Sequence, residues 1–150
     1  MAVGGWNPPA IIGLCEIENR FVLNQLVYET PFAQFDYRII HEESPDRRGI
    51  DVALLFNPKI MQVIDHKTIA IKFPADSLIK TRDILYVKGL IGSDTLHIFV
   101  NHWPSRYGGE LSSEPRRIQV AKTLAYHIDK IMEQHSDAAI IVMGDFNDDP

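Results

Sequence analysis

The chain has 150 residues, 45% of them hydrophobic and 23% charged, which is enough for one domain with a core of its own. Its net charge of −5 excludes a surface that attracts polyanions everywhere, so a phosphate site has to be local, built from a metal ion or a few arginines. A single cysteine, Cys15, excludes an intrachain disulfide, and no apolar stretch is long enough to span a membrane.

The N-terminal residues up to Trp6 lack the basic region and apolar core of a secretory signal, and localisation stays open. Residues 10–16 read as a buried strand that ends in a carboxylate, Glu16, with Pro8 and Pro9 setting its start. Asn19 is the predicted N-cap of a helix carrying Val22, Leu23, Leu26 and Val27 at helical spacing. Glu16 therefore stands at a strand-to-helix boundary, where sheet proteins place ligand groups. On this segment alone, a solvated strand end explains it as well. Residues 35–42 and 50–56 read as strands, the second with Asp51 near its start. Residues 61–73 suggest two short alternating strands, around 62–64 and 67–73. Residues 83–91 and 95–101 suggest a pair of strands joined by Gly92-Ser93-Asp94, so the middle of the chain is expected to pair antiparallel.

The strand at 96–101 runs into His102-Trp103-Pro104-Ser105-Arg106, a loop followed by two glycines. Taken singly, His102 reads equally as a structural histidine and Arg106 as a surface charge. Ser112 or Ser113 is the predicted cap of the next helix, with Pro115 tolerated in its first turn. Its apolar stripe is Ile118, Ala121, Leu124, Ala125, Ile128, Ile131 and Met132; Arg116, Arg117 and Lys122 lie off it, on a solvated face, with a face toward a polyanionic substrate the alternative for the arginine pair. The last strand, 138–143, is β-branched, apolar on both alternations and stops at Gly144 and three carboxylates. Side chains two apart on a strand point the same way, so Asp145 and Asn147 face one direction and Phe146 the other. An acidic turn closing a strand would look the same in isolation.

Five segments in this order carry more than any of them alone: residues 13–19 (Gly-Leu-Cys-Glu-Ile-Glu-Asn), 47–56 (Arg-Arg-Gly-Ile-Asp-Val-Ala-Leu-Leu-Phe), 81–83 (Thr-Arg-Asp), 100–106 (Val-Asn-His-Trp-Pro-Ser-Arg) and 144–148 (Gly-Asp-Phe-Asn-Asp). Together they resemble the endonuclease/exonuclease/phosphatase superfamily, which includes deoxyribonucleases, apurinic endonucleases, sphingomyelinases and inositol polyphosphate phosphatases. The resemblance implies an α/β (α+β) fold, a DNase I-like four-layer sandwich with two mostly antiparallel sheets face to face and helices outside. It implies an Mg2+-dependent phosphoesterase, with Mn2+ or Ca2+ as alternative ions, acting on phosphodiesters and nucleic acid among them. A phosphatase or sphingomyelinase-like hydrolase of small or lipid phosphates is the alternative, and a silent binding or scaffold relative is the third reading.

By the same resemblance Glu16 matches the metal-binding carboxylate and Asp145 the residue that orients the attacking water. Asn147 matches the amide that holds the cluster and the phosphate, and His102 the histidine near the leaving group. Arg82 matches an arginine on the substrate side, Arg106 is a further substrate-side candidate, and Asp51 is a candidate support for His102. These types suit the reaction: a hard cation on carboxylates and water stabilises charge gathered on phosphate oxygens, and a carboxylate orients water for in-line attack. The family pattern also has an earlier strand bearing asparagine and a later Asp-His motif. Residues 1–150 are therefore expected to be one partial family domain, incomplete at both ends and poorly stable or inactive alone.

Overall fold

Alternation along the strands sorts side chains onto two faces, one toward the other sheet and one toward an outer helix. The computed structural model describes residues 8–46, 48–74 and 78–148; residues 1–7, 47, 75–77, 149 and 150 lie outside them. Strands β1 (Ile11–Ile17), β2 (Arg38–His41) and β3 (Asp51–Phe56) form an antiparallel sheet in the order β1-β3-β2. Strands β4 (Met61–Ile69), β5 (Ile84–Ile91), β6 (Asp94–His102) and β7 (Ala139–Asp145) form the second sheet in chain order. Among the described residues only the β6–β7 pairing is parallel. A parallel pair needs a crossover, and helix α2 (Glu110–Gln134) supplies it.

Ile40, Val52 and Leu54 of the first sheet meet Leu85, Val87, Ile98 and Val100 of the second, forming the inner core. Helix α1 (Arg20–Tyr28) lays Leu23 and Val27 on Ala53 and Leu55 across the outside of the first sheet. On the outside of the second sheet α2 lays Val120 and Leu124 on Ile84, Tyr86 and Phe99. The result is helix, sheet, sheet, helix: the four-layer α+β sandwich. Each fully buried leucine of these layers contributes about 1.5–3 kcal/mol by transfer from water.

The expected N-cap is in place, Asn19 accepting from the Val22 amide at 3.1 Å. Elsewhere the elements shift. The strand expected over 35–42 is only Arg38–His41, because residues Pro31–Phe35 wind into a 3-10 helix that Asp36 ends in the left-handed region, φ 58°. The two strands expected within 61–73 are one, β4, broken in register between Val63 and Asp65. One extra residue there flips the alternation, which is why the pattern read as two pieces. The hairpin turn is Gly92-Ser93 alone, since Asp94 already pairs with Ile91. Helix α2 starts earlier than expected: Gly109 is its cap residue, and Pro115 lies inside it. Ser112 and Ser113 instead donate their hydroxyls back to the carbonyls of Gly108, Gly109 and Glu110. The helix is also rotated: Ser113, Arg117, Val120 and Leu124 are buried, while Ile118 is 45% exposed. Finally, β7 is not buried on both faces. It is an edge strand among the described residues, and Val142 is exposed.

Candidate active site

The polar ends of β1, β6 and β7 lie together because β1 crosses over β6 and β7 from the opposite sheet. Gly13 allows the crossing: a Cβ there would run into the Met143 side chain and touch Val100. Two residues on, the Cys15 thiol donates to the Asn101 carbonyl at 3.3 Å, and burial pushes its pKa up, so it stays a protonated packing group. Next comes Glu16, in a register break between Leu14 and Ile17 and at φ 60°. A bulge with a left-handed residue re-aims a side chain, and here it takes the carboxylate off the strand's alternation. Glu16 and Asp145 both act electrostatically on the His102 ring, so both carboxylates stand in its neighbourhood.

Asp145 ends β7. Its Oδ1 accepts the Asn147 amide at 2.9 Å, closing a small turn with Asn147 at φ 50°. Its Oδ2 lies 3.9 Å from His102 Nε2. The close approach of β7 to β6 requires Gly144, at φ 130°, because a Cβ there would land on the Asn101 carbonyl oxygen. The Asn147 side-chain amide donates to the Trp103 carbonyl at 3.0 Å, tying the β7 turn to the loop after β6.

His102 is buried, 6% exposed, and its Nδ1 has no hydrogen-bond partner among the described residues. Burial, then the Arg82 charge, lowers its pKa from 6.5, and the nearby Asp145 and Glu16 only partly offset this. The imidazole is therefore neutral at neutral pH: one nitrogen donates and the other accepts.

The remaining expected residues are placed differently. Arg82 is buried, and its guanidinium donates to the carbonyls of His102 at 2.9 Å and Trp103 at 2.6 Å and to Asp46 at 3.1 Å. It holds the loop backbone and also lines the cavity described below. Arg106 donates to the Asn147 carbonyl at 3.1 Å and pairs with Asp148 at 3.2 Å, steadying the β7 turn. Asp51 does not touch His102. It takes His41 at 3.2 Å and the Ser44 amide and hydroxyl at 2.9 and 2.6 Å, one strand away.

Arg117 was expected on a solvated face and is 2% exposed instead. Its Nε donates to Asp148 at 3.1 Å and its Nη1 to Ser113 Oγ at 2.8 Å, so α2 grips the end of the β7 turn from behind. The signal was legible: Ser113, Arg117, Val120 and Leu124 recur at i, i+4, i+7 and i+11, one helix face. Beside the rim is a cavity of about 430 Å³ lined by Arg48, Lys80, Arg82 and Arg116, with Asp46 its only carboxylate among the described residues. Tyr107, 94% exposed, stands at it.

A model of the Endonuclease/Exonuclease/phosphatase family matches residues 1–150. No curated protein matches the chain at a significant level. Among solved structures, truncated Caenorhabditis elegans TDP2 is 20% identical with a TM-score of 0.69, over 94% of this chain and 50% of that one. D. rerio TDP2 complexed with single strand DNA product is 19% identical, TM-score 0.65, over 95% of this chain and 49% of that one. ANGEL2, a 2′,3′-cyclic phosphatase, is 15% identical, TM-score 0.68, over 94% of this chain and 40% of that one. The chain thus spans half or less of the length of these structures, and the likeness to them is one of fold.

Proposed function

Because the chain belongs to the endonuclease/exonuclease/phosphatase family, we propose that it supplies the metal-holding half of a phosphodiesterase site that acts on nucleic acid. The carrying observation is the Glu16 bulge at the end of β1, whose carboxylate acts together with that of Asp145 on the His102 ring of the other sheet. No group of three or more His, Cys, Asp or Glu side chains converges among the described residues. Two carboxylates, Glu16 and Asp145, with the Asn147 amide nearby are nonetheless a donor set that fits Mg2+, which is commonly held by one or two carboxylates, water and the phosphate itself. That ion, when bound, would neutralise charge on the phosphate oxygens and reverse the local sign of an acidic rim. Asp145, with Oδ1 fixed by the Asn147 amide, leaves Oδ2 to orient the attacking water. Neutral His102 offers a hydrogen bond at the phosphate or leaving oxygen without reorganising.

The cationic cavity beside the rim supports a substrate with further phosphates. Arg48, Lys80 and Arg116 line it in a chain of net charge −5, and exposed Tyr107 offers a ring on which a base would stack. Replacing Lys80 and Arg116 by Gln is expected to weaken single-stranded DNA binding and lower its salt slope by about 1 per removed contact. Unchanged DNA binding, with turnover of a cyclic or small phosphate ester, would favour the phosphatase reading.

The metal assignment is tested without turnover. Mn2+ added to the chain is expected to broaden the NMR signals around Glu16 and Asp145 selectively, and Glu16→Gln to abolish that effect. Broadening unchanged in Glu16→Gln and Asp145→Asn would remove the proposed site. In the longest natural polypeptide that carries these residues, either substitution is expected to lower Mg2+-dependent hydrolysis of a phosphodiester dye substrate about 10²–10³-fold.

A further inference from the structure

A second cavity, of about 240 Å³, lies between the C-terminal half of α2 and the outer face of β4–β6, and shares no lining residue with the cavity at the rim. We propose that it is an anion site that takes a tetrahedral dianion: phosphate, or the terminal group of a phosphate monoester. The reading does not depend on the catalytic one.

Strand register builds it. Lys67 stands opposite Tyr86, and Lys88 opposite His97, so all four side chains share the outer face of the sheet. Lys67, Lys88 and Lys130 line the cavity, and no carboxylate does among the described residues. Neither Lys67 nor Lys88 has a carboxylate within ion-pair distance among those residues; Lys67 Nζ sits 5.4 Å over the Tyr86 ring. His97 is 5% exposed, and the Tyr86 hydroxyl meets its Nδ1 at 2.7 Å. With that hydroxyl donating, the neutral ring carries its proton on Nε2, a donor still to be used. Two buried aromatic rings, Tyr86 and Phe99, floor the cavity, so a bound charge would be screened less than at an open surface.

The opposing charges are few and none lines the cavity among the described residues. Asp65 is the cross-strand partner of Lys88 and acts on Tyr86, and on α2 Glu133 holds Lys130 at 2.7 Å, with Asp129 beside it. His127 and His135 complete the wall on the helix side. Burial first, then Lys88 and His135, lowers the His97 pKa; burial, then Lys67, lowers that of His127. A dianion in the cavity offsets those cationic neighbours and stabilises the charged form of both rings, so binding raises both values and strengthens as pH falls toward 6.

Sulfate is the probe, because its charge is constant over that range. Titrated at fixed ionic strength into the chain, it is expected to shift the imidazole signals of His97 and His127 saturably and raise both pKa values. Lys67→Gln with Lys88→Gln keeps the stems over Tyr86 and removes the charges; it is expected to weaken binding about tenfold or more. Lys122→Gln, on the exposed face of α2, is expected to change nothing. A linear, non-saturating shift, or equal affinity in the double variant, would overturn the proposal. Inorganic phosphate and 5′-AMP then separate the sources: equal affinities assign free phosphate, and tighter binding of AMP assigns a nucleotide.

Discussion

Glu16 and Arg117 carry opposite lessons about single residues. The carboxylate at the end of β1 was legible from its position, but the positive φ that takes it off the strand's alternation was not. Arg117 was read as solvated because arginine on a helix is usually so. Its burial is tolerable because Asp148 and Ser113 occupy its fork. Arg117→Met is expected to cost about 1–3 kcal/mol in urea unfolding and to speed amide exchange in the β7 turn more than in the inner core. Arg117→Lys keeps the charge and loses the fork, so it is expected to recover only part of the loss. A neutral effect in both would mean that the grip contributes nothing.

At the scale of elements, the junction of β6 and β7 sets the site. Gly144 at φ 130° permits the last parallel pair, His102 with Asp145, to close. Gly144→Ala places a Cβ on the Asn101 carbonyl in a region open essentially to glycine alone, at an expected cost of about 3 kcal/mol or more. Gly92→Ala is the control. It also has positive φ, 63°, but nothing lies within 4 Å, and the expected cost is about 1–2 kcal/mol. Thermal melts of the two variants should separate clearly; equal melting temperatures would refute the close approach. Elements with one strong local pattern, β1, α1, β3 and the β5–β6 hairpin, were legible within a residue or two. Those governed by a bulge or a rotation, β4 and α2, were not, because one extra residue or a few tens of degrees reverses which face looks apolar.

The whole molecule links acidity to stability through three buried or half-buried histidines. His97, His102 and His127 all have pKa values lowered from 6.5, each chiefly by burial. The unfolded chain binds protons at these positions near pH 6.5 while the folded chain does not, so stability is full above that value and falls as pH drops below it. The urea midpoint is expected to be lower at pH 5.5 than at pH 7.5. Asp83, whose pKa burial raises from 3.8, works in the opposite direction only at lower pH. A midpoint flat across this window would mean that these rings are protonated alike in both states. No helix among the described residues is long and apolar enough to cross a membrane, as composition implied.

The residue order by itself determined the family and the alternation of strands and helices, and singled out Glu16, His102, Asp145 and Asn147 as candidates, because each is a local pattern or a motif in fixed sequence. Tertiary structure alone decided that Asp51 serves His41 and Ser44, that Arg82 and Arg106 hold backbone, and that Arg117 turns inward. Those outcomes depend on which groups a fold leaves unpaired in its interior, and a buried donor takes the nearest acceptor that the packing offers, however far away in sequence.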